Sequence, residues 1–426
     1  MKQLLIKNGH VVDPAMDRDE VTDVLIVNDR IEAVGPLEPT DSMEVFDASG
    51  LLVMPGAIDL HVHLRDLDQS YKETIKTGTQ AALQGGITTV FAMPNTVPTL
   101  DSRSTIERYK SLIQTDAVVE TYIIGSITQG LEGKTLADLD VYPDLGIHFI
   151  SDDGHDVNDP AILEFAFQKA KQLGLTFIVH PEMSSIGIGG VMNEGEVSRS
   201  LDVPGQPNTK EWKAVERAIA LALQYGVRTH LTHISTKESV DLVRAAKQKS
   251  NLITCDVTPH HITLTEEFVR TLGGRAKVNP PLRTEEDRQA LLAAIADGTV
   301  DLIATDHAPH TEQEKSETIE YAAFGFTGLE LLLPVAFTTL YHQNHLPLLR
   351  VVQLLSYNPA QLSQLDRGTL KPGALANLTL VDLKGQRIVD PETFQSKGKN
   401  TPFAGMTLKG WPTHVIFQGK LHSVKR

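Results

Sequence analysis

A single cysteine, Cys255, in 426 residues excludes an intramolecular disulfide framework and any cysteine-built zinc site. Its neighbours Leu252-Ile253-Thr254 mark it as a core thiol in an apolar strand. No run approaches 18 consecutive apolar residues, so no segment is expected to span a membrane. The opening stretch, residues 1–9, carries no apolar segment long enough for a secretory signal. Basic residues are outnumbered, 39 Lys+Arg against 54 Asp+Glu, for a formal net charge of −15. Nucleic acids and anionic membranes need a basic face, so neither is an expected partner. The class left is a cytoplasmic enzyme.

What is present fits a large soluble core: 41% hydrophobic and 22% charged residues. The first 55 residues predict short strands with turn signals at Asn8-Gly9 and Asn28-Asp29. The C-terminal end repeats the pattern, with strands over 378–381 and 414–417 split by Gly385, Pro402, Gly405 and Gly410. Both termini together predict one small β domain, residues 1–55 and 366–426. Between them, over 56–365, apolar runs at 57–60, 88–93, 122–124, 147–150, 176–179, 228–232, 252–257 and 302–304 alternate with helical patterns such as 104–113, 160–173, 210–225 and 237–250. That alternation predicts an α/β fold, a (β/α)8 barrel of the TIM type. Two irregular stretches, 183–207 and 311–326, are long enough to be functional loops.

The placement of histidines carries the chemistry. His61-Val62-His63 ends the first barrel strand, and residues two apart on a strand point the same way. Alone the pair is weak. Yet Asp152-Asp153 follows the fourth strand, His180 the fifth, His233 the sixth and Asp306 the eighth. Strand C-termini form the active-site face of such a barrel. Four histidines and two carboxylates converging there make a nitrogen and oxygen ligand set suited to zinc, manganese or cobalt. Spacing alone does not say which of Asp152 and Asp153 would bridge two metals.

These residues sit in longer motifs: Gly56 through Asp66, Met93-Pro94-Asn95-Thr96, Ser151-Asp152-Asp153-Gly154 and His180-Pro181-Glu182. Further along stand His233 through Ser239, Thr258-Pro259-His260-His261, Lys277 through Arg283 and Ile303 through His310. Over essentially its whole length the chain resembles the bacterial type I dihydroorotases of the amidohydrolase superfamily. The resemblance implies two zinc ions per subunit. His61, His63 and Asp306 would hold one, His180 and His233 the other, and Asp153 would bridge them. Hydantoinase-like relatives use a carboxylated lysine as bridge, and here the fourth strand ends without a lysine. Arg65, Asn95 and His310 would hold the substrate carboxylate, with Asn279 and the backbone of Phe324-Gly325 at the ring amide and His63 beside the substrate. Asp306 would move the proton in the reversible cyclisation of N-carbamoyl-L-aspartate to dihydroorotate, in de novo pyrimidine synthesis. Residues 311–326 would form a lid. Asp66 would support the barrel mouth, and His307 would orient Asp306.

Three points stay open at this stage. Another cyclic amidohydrolase, such as a hydantoinase or allantoinase, would share fold and metals. A non-catalytic scaffold would share the fold but bind little zinc. The resemblance also leaves open a homodimer and a complex with aspartate transcarbamoylase.

Overall fold

The structure is a computed structural model that describes residues 2–424. The N-terminal strands are β1 (Gln3–Asp13), β2 (Arg18–Val27), β3 (Arg30–Val34), β4 (Glu44–Asp47) and β5 (Leu52–Pro55). Then come β6 (Ala57–Val62), β7 (Ile87–Ala92), β8 (Glu120–Ile123), β9 (Phe149–Ile150) and β10 (Thr176–Val179). A two-residue ladder follows, β11 (Met192–Asn193) against β12 (Gly205–Gln206), and then β13 (Thr229–Leu231), β14 (Ile253–Val257) and β15 (Leu302–Ile303). The chain closes with β16 (Leu378–Ile388), β17 (Thr407–Phe417) and β18 (Lys420–Ser423).

Both chain ends enter one sheet, in the order β18-β17-β16-β5-β1-β2-β3, with β4 paired to β1. The seam is the antiparallel pairing of β16 with β5, so neither end completes this sheet alone. Asn28-Asp29 is the turn between β2 and β3, as expected. Asn8-Gly9 is not a turn. It lies inside β1, where the register against β2 shifts and Asn8 takes φ 59°. A Cβ on Gly9 would stand 2.5 Å from a Val53 methyl, so the glycine serves close packing of β1 on β5.

The middle of the chain supplies two parallel sheets, β6-β7-β8 and β9-β10-β13-β14-β15. Parallel bridges join them, Gly125 to Ile150 on one side and Val62 to His307 on the other. Eight parallel strands thereby close into a barrel with helices in the crossovers. The helix Pro160–Leu173 shows how the sequence sets these crossovers. Asp159 caps the amides of Ala161 and Ile162, Pro160 opens the helix, and Gly174 ends it at φ 68°. Leu163, Ala166, Phe167 and Ala170 form its buried face, and Phe167 stacks on Phe177 of β10 at 4.2 Å. Truncating Phe167 to Ala would cost about 3–5 kcal/mol.

A second apolar cluster lies apart from the barrel core. It gathers Met192 and Val197 from the 183–207 stretch, Ile319 and Phe326 from the 311–326 stretch, and Phe394 and Phe403 from the C-terminal segment. Both irregular stretches are therefore packed segments. Among the described residues no helix is long and apolar enough to cross a membrane.

Candidate active site and metal centre

His61, the fifth residue of β6, and His63, just beyond it, bring their Nε2 atoms to 3.3 Å of each other. Asp306 Oδ1 is 3.1 Å from His63 Nε2 and 3.3 Å from His61 Nε2. Asp153 Oδ1 lies 3.4 Å from His61 Nε2, 3.4 Å from His180 Nδ1 and 3.8 Å from His233 Nε2. Its Oδ2 is 3.6 Å from His63 Nε2. One carboxylate thus stands among all four histidines, and every one of these side chains is buried.

Asp152 does not share this place. It turns away to accept from the amides of Ile127, at 2.7 Å, and Thr128, at 3.0 Å, and from the Thr128 hydroxyl. Asp153 Oδ1 and His233 Nδ1, by contrast, are buried without a hydrogen-bond partner among the described residues. Asp153 and Asp306 are held far below the usual carboxylate range, His61 and His180 are driven up, and burial lowers His63 and His233. Burial would raise the Asp153 carboxyl, but His61, His180 and His233 hold it well down. Burial works against a charged His61 and His180, yet the facing carboxylates raise them to about 9 and about 10. Such a pocket demands positive charge, and a cation there would replace the protons. Two overlapping sets have cation-binding geometry, His61 with Asp153 and His233, and His61 with His63 and Asp306. The donor set therefore fits metal.

The backbone bends to reach these positions. His233 and Asp306 both take positive φ, 39° and 50°, as do Arg65, Asp66 and Leu67. Non-glycine residues rarely adopt this region, and it clusters at functional sites. Hydrogen bonds hold the bends at His233 and at 65–67. The Asp256 carboxylate accepts from the His233 amide at 2.6 Å. Asp66 accepts from the amides of Leu67, at 2.8 Å, and Ile75, at 3.0 Å, which is the supporting role expected of it.

Sequence reasoning missed the braces beneath the ligands. Thr232 Oγ1 contacts His61 Nδ1 at 2.9 Å and donates to Asp256, which also bonds His230 at 2.7 Å. His230 therefore belongs to packing under the site. Asp59 accepts from the His61 amide at 3.2 Å and from Thr305 Oγ1 at 2.5 Å. The signal was legible: Ile58-Asp59-Leu60 and Cys255-Asp256-Val257 set a carboxylate inside an apolar strand, which is costly without partners. His307 does not contact Asp306 through its ring. Its Nε2 faces Glu73 at 3.4 Å, its Nδ1 accepts from Gly328, and its carbonyl accepts from the His63 amide at 2.8 Å.

Above the ligands opens a cleft of about 250 Å³ lined by His63, Arg65, Asn95, Asn279, His310 and Phe324, among others. Arg65 is buried, and its Nε has no partner among the described residues. Its terminal nitrogen lies 3.4 Å from His310 Nε2, which bonds the Phe324 carbonyl at 2.8 Å. Burial, with Arg65 and Lys72 nearby, lowers His310 to about 3, so its ring is neutral. Asn95 sits on the metal side, bonding His63 Nδ1 at 2.8 Å and approaching Asp153 Oδ2 at 3.4 Å. Asn279 faces His180 and Glu182, and Gly325, whose amide donates to the Lys277 carbonyl at 2.9 Å, lines the cleft too. His261 bonds Thr258 and the Pro280 carbonyl, away from the cleft.

Fold and site together define a parallel barrel whose strand ends carry a candidate cation centre. The chain belongs to the amidohydrolase family, whose model matches residues 52–422. It is 42% identical over 98% of its length to a protein from Elusimicrobium minutum named dihydroorotase, covering 96% of that protein. It is 44% identical to the dihydroorotase of Pelotomaculum thermopropionicum, covering 98% of both chains. Among solved structures, the L-hydantoinase of Arthrobacter aurescens superposes with a TM-score of 0.89 at 25% identity, over 99% of this chain and 96% of that one. The dihydropyrimidinase of Brevibacillus agri, at 23% identity and a TM-score of 0.87, shares the fold.

Proposed function

We propose that this chain catalyses the reversible cyclisation of N-carbamoyl-L-aspartate to (S)-dihydroorotate and water, as a zinc-dependent dihydroorotase of pyrimidine synthesis. The observation that carries this reading is the pairing of two walls in one cleft. One wall is Asp153 among four histidines, and the other is a buried Arg65 with an unpartnered Nε. Near full-length similarity to relatives named dihydroorotase supports it.

His61, His63 and Asp306 would hold one zinc, His180 and His233 a second, with Asp153 shared between them. Two bound zinc ions supply a water of lowered pKa and polarise a carbonyl. The residues of the chain do the rest. Arg65, with His310 and Asn95 nearby, binds the carboxylate that does not react, through a planar fork. Asn279 and the backbone at Phe324-Gly325 orient the amide. In hydrolysis Asp306 accepts the proton of the attacking water and returns it to the ring nitrogen as the C–N bond breaks. Cyclisation reverses each step, turns two carboxylates into one and consumes a proton, so acid favours the ring. Residues 311–326 exclude water above the cleft as a lid.

The second reading is a hydantoinase-like enzyme, favoured by the structural likeness to hydantoinases. Hydantoin and dihydrouracil carry no carboxylate, so a buried Arg65 would face them without a partner. The test compares turnover of dihydroorotate and carbamoyl aspartate with that of hydantoin and dihydrouracil, alongside zinc content. Preference for the carboxylate-free rings would replace the dihydroorotase reading.

A further inference from the structure

Glu182, three residues past the end of β10, has no part in the chemistry above. Its carboxylate nevertheless collects three donors. Oε2 lies 3.0 Å from His180 Nε2 and 2.6 Å from Asn279 Nδ2, and Oε1 lies 2.8 Å from Lys210 Nζ. An ionised carboxylate only accepts. The His180 proton facing Glu182 is therefore on Nε2, which leaves Nδ1 as the atom turned toward Asp153, at 3.4 Å, and His233, at 3.0 Å. The same logic fixes the Asn279 amide. Its NH2 is committed to Glu182, so Oδ1 is the atom left to accept an N–H from a molecule in the cleft.

We propose that Glu182 is a positioning residue that sets a metal-binding histidine and a substrate-contacting asparagine through one carboxylate. This rests on the reading of His180 as a zinc ligand and of Asn279 as a substrate contact. Lys210 completes the arrangement. It is buried, its carbonyl accepts from the Met183 amide at 2.9 Å, and its ammonium balances the Glu182 charge. Carboxylates that hold the far nitrogen of a ligating imidazole fix its tautomer and orientation, and removing one costs about 10–100-fold in metal affinity. Glu182→Gln is the informative change. A glutamine can still accept from one donor, but its own NH2 must then face Lys210 or Asn279, donor against donor.

The test titrates the zinc-loaded full-length protein with a chelator and counts the zinc left per chain, with KM for dihydroorotate measured in parallel. Glu182→Gln should release one of its two zinc ions at about 10–100-fold lower chelator concentration than wild type, keep the other, and raise KM. Asn279→Ala should raise KM with wild-type zinc retention. Glu182→Asp, shorter by one methylene but still charged, should fall between and carries the same test if the glutamine variant does not fold. Wild-type zinc retention in both Glu182 variants would overturn the proposal, and so would equal loss of both ions, which would make Glu182 a brace of the whole mouth. If wild type itself retains no zinc, the metal reading fails first and this proposal with it, an outcome distinct from failure of the variants alone.

Discussion

His61, His63, Asp153, His180, His233 and Asp306 all stand within three residues of a barrel strand end, above the main core. Arg65, His310, Phe324 and Gly325 stand on loops and face them across the cleft. Beneath the first group lies a rigid polar lattice, Asp59 with Thr305 and Asp256 with Thr232 and His230. Beneath the second lies the satellite cluster, assembled from four segments far apart in sequence, 191–197, 264–282, 319–335 and 389–408. The inner ring is thus placed by the barrel itself, while the rim depends on loops meeting one another. Damage to the ring should cost metal, whereas damage to the rim should cost recognition and leave metal bound.

The largest effect is expected in the ring. Asp153→Ala removes the only carboxylate that, among the described residues, lies within 4 Å of all four histidines. It should lose at least one equivalent of zinc and nearly all turnover while the fold persists. Asp152→Ala is the control in the same dipeptide. It leaves the Ile127 and Thr128 amides without their acceptor, so stability should fall by about 1–3 kcal/mol with zinc retained. Metal analysis and urea unfolding of the two variants decide between them. Full zinc in the Asp153 variant would move the bridge elsewhere.

A smaller effect is expected at the rim. Arg65→Ala should lower kcat/KM for dihydroorotate by roughly 30- to 1000-fold, corresponding to about 2–4 kcal/mol. Zinc content should stay at the wild-type level. Arg65→Lys should recover only part, because an ammonium lacks the fork. Turnover of a carboxylate-free cyclic imide should change much less. Equal loss on both substrates with the metals intact would remove Arg65 from carboxylate recognition.

The ring was far more legible in the sequence than the rim. Strand periodicity located the barrel strands to within about two residues, and ligands that follow strands inherit that accuracy. His61 and His63 could be aligned from spacing alone. The Asp153 position could not, because Asp152 and Asp153 differ only in which way the chain turns, and the Ile127 and Thr128 amides that claim Asp152 come from another strand's loop. The rim residues Arg65, His310, Phe324 and Gly325 were legible only through the family motifs, and the packing of their loops was not legible at all. Nothing in residues 183–207 or 311–326 announces that Met192, Ile319 and Phe394 share one cluster, since such contacts bridge long sequence separations. Glu182 was visible inside a motif, but its three donors arrive from different segments. Asn8-Gly9 failed as a turn because the dipeptide has the same backbone preference in a bulge as in a hairpin.

The smallest expected effect separates rim from ring by pH. Lys315, in the 311–326 stretch proposed as a lid, is fully buried, and its Nζ donates to the carbonyls of Lys277 at 3.0 Å and Ala323 at 2.7 Å. Burial, reinforced by the nearby Lys277 charge, pulls its pKa down to about 7. An unfolded lysine keeps its proton to about pH 10.4. Between these values the unfolded chain binds more protons than the folded one, so this group makes stability rise with pH from about 7 to about 10. Below about pH 7 both states are protonated and the contribution sits at its minimum. The slope cannot exceed about 1.4 kcal/mol per pH unit, and water reaching this stretch will reduce it. Lys315→Met removes the titration and leaves two carbonyls without their donor. The variant should be less stable than wild type by about 1–3 kcal/mol at pH 9, with the gap narrowing toward pH 6. Urea unfolding of both proteins at pH 6 and pH 9, with zinc in excess, measures the gap. Hydrogen exchange over residues 311–326 should show the same trend, while residues 302–306 at the ring should show none. A gap of equal size at both pH values would mean that Lys315 keeps its proton in the folded 311–326 stretch, and that the rim is no more sensitive to alkaline pH than the barrel beneath it.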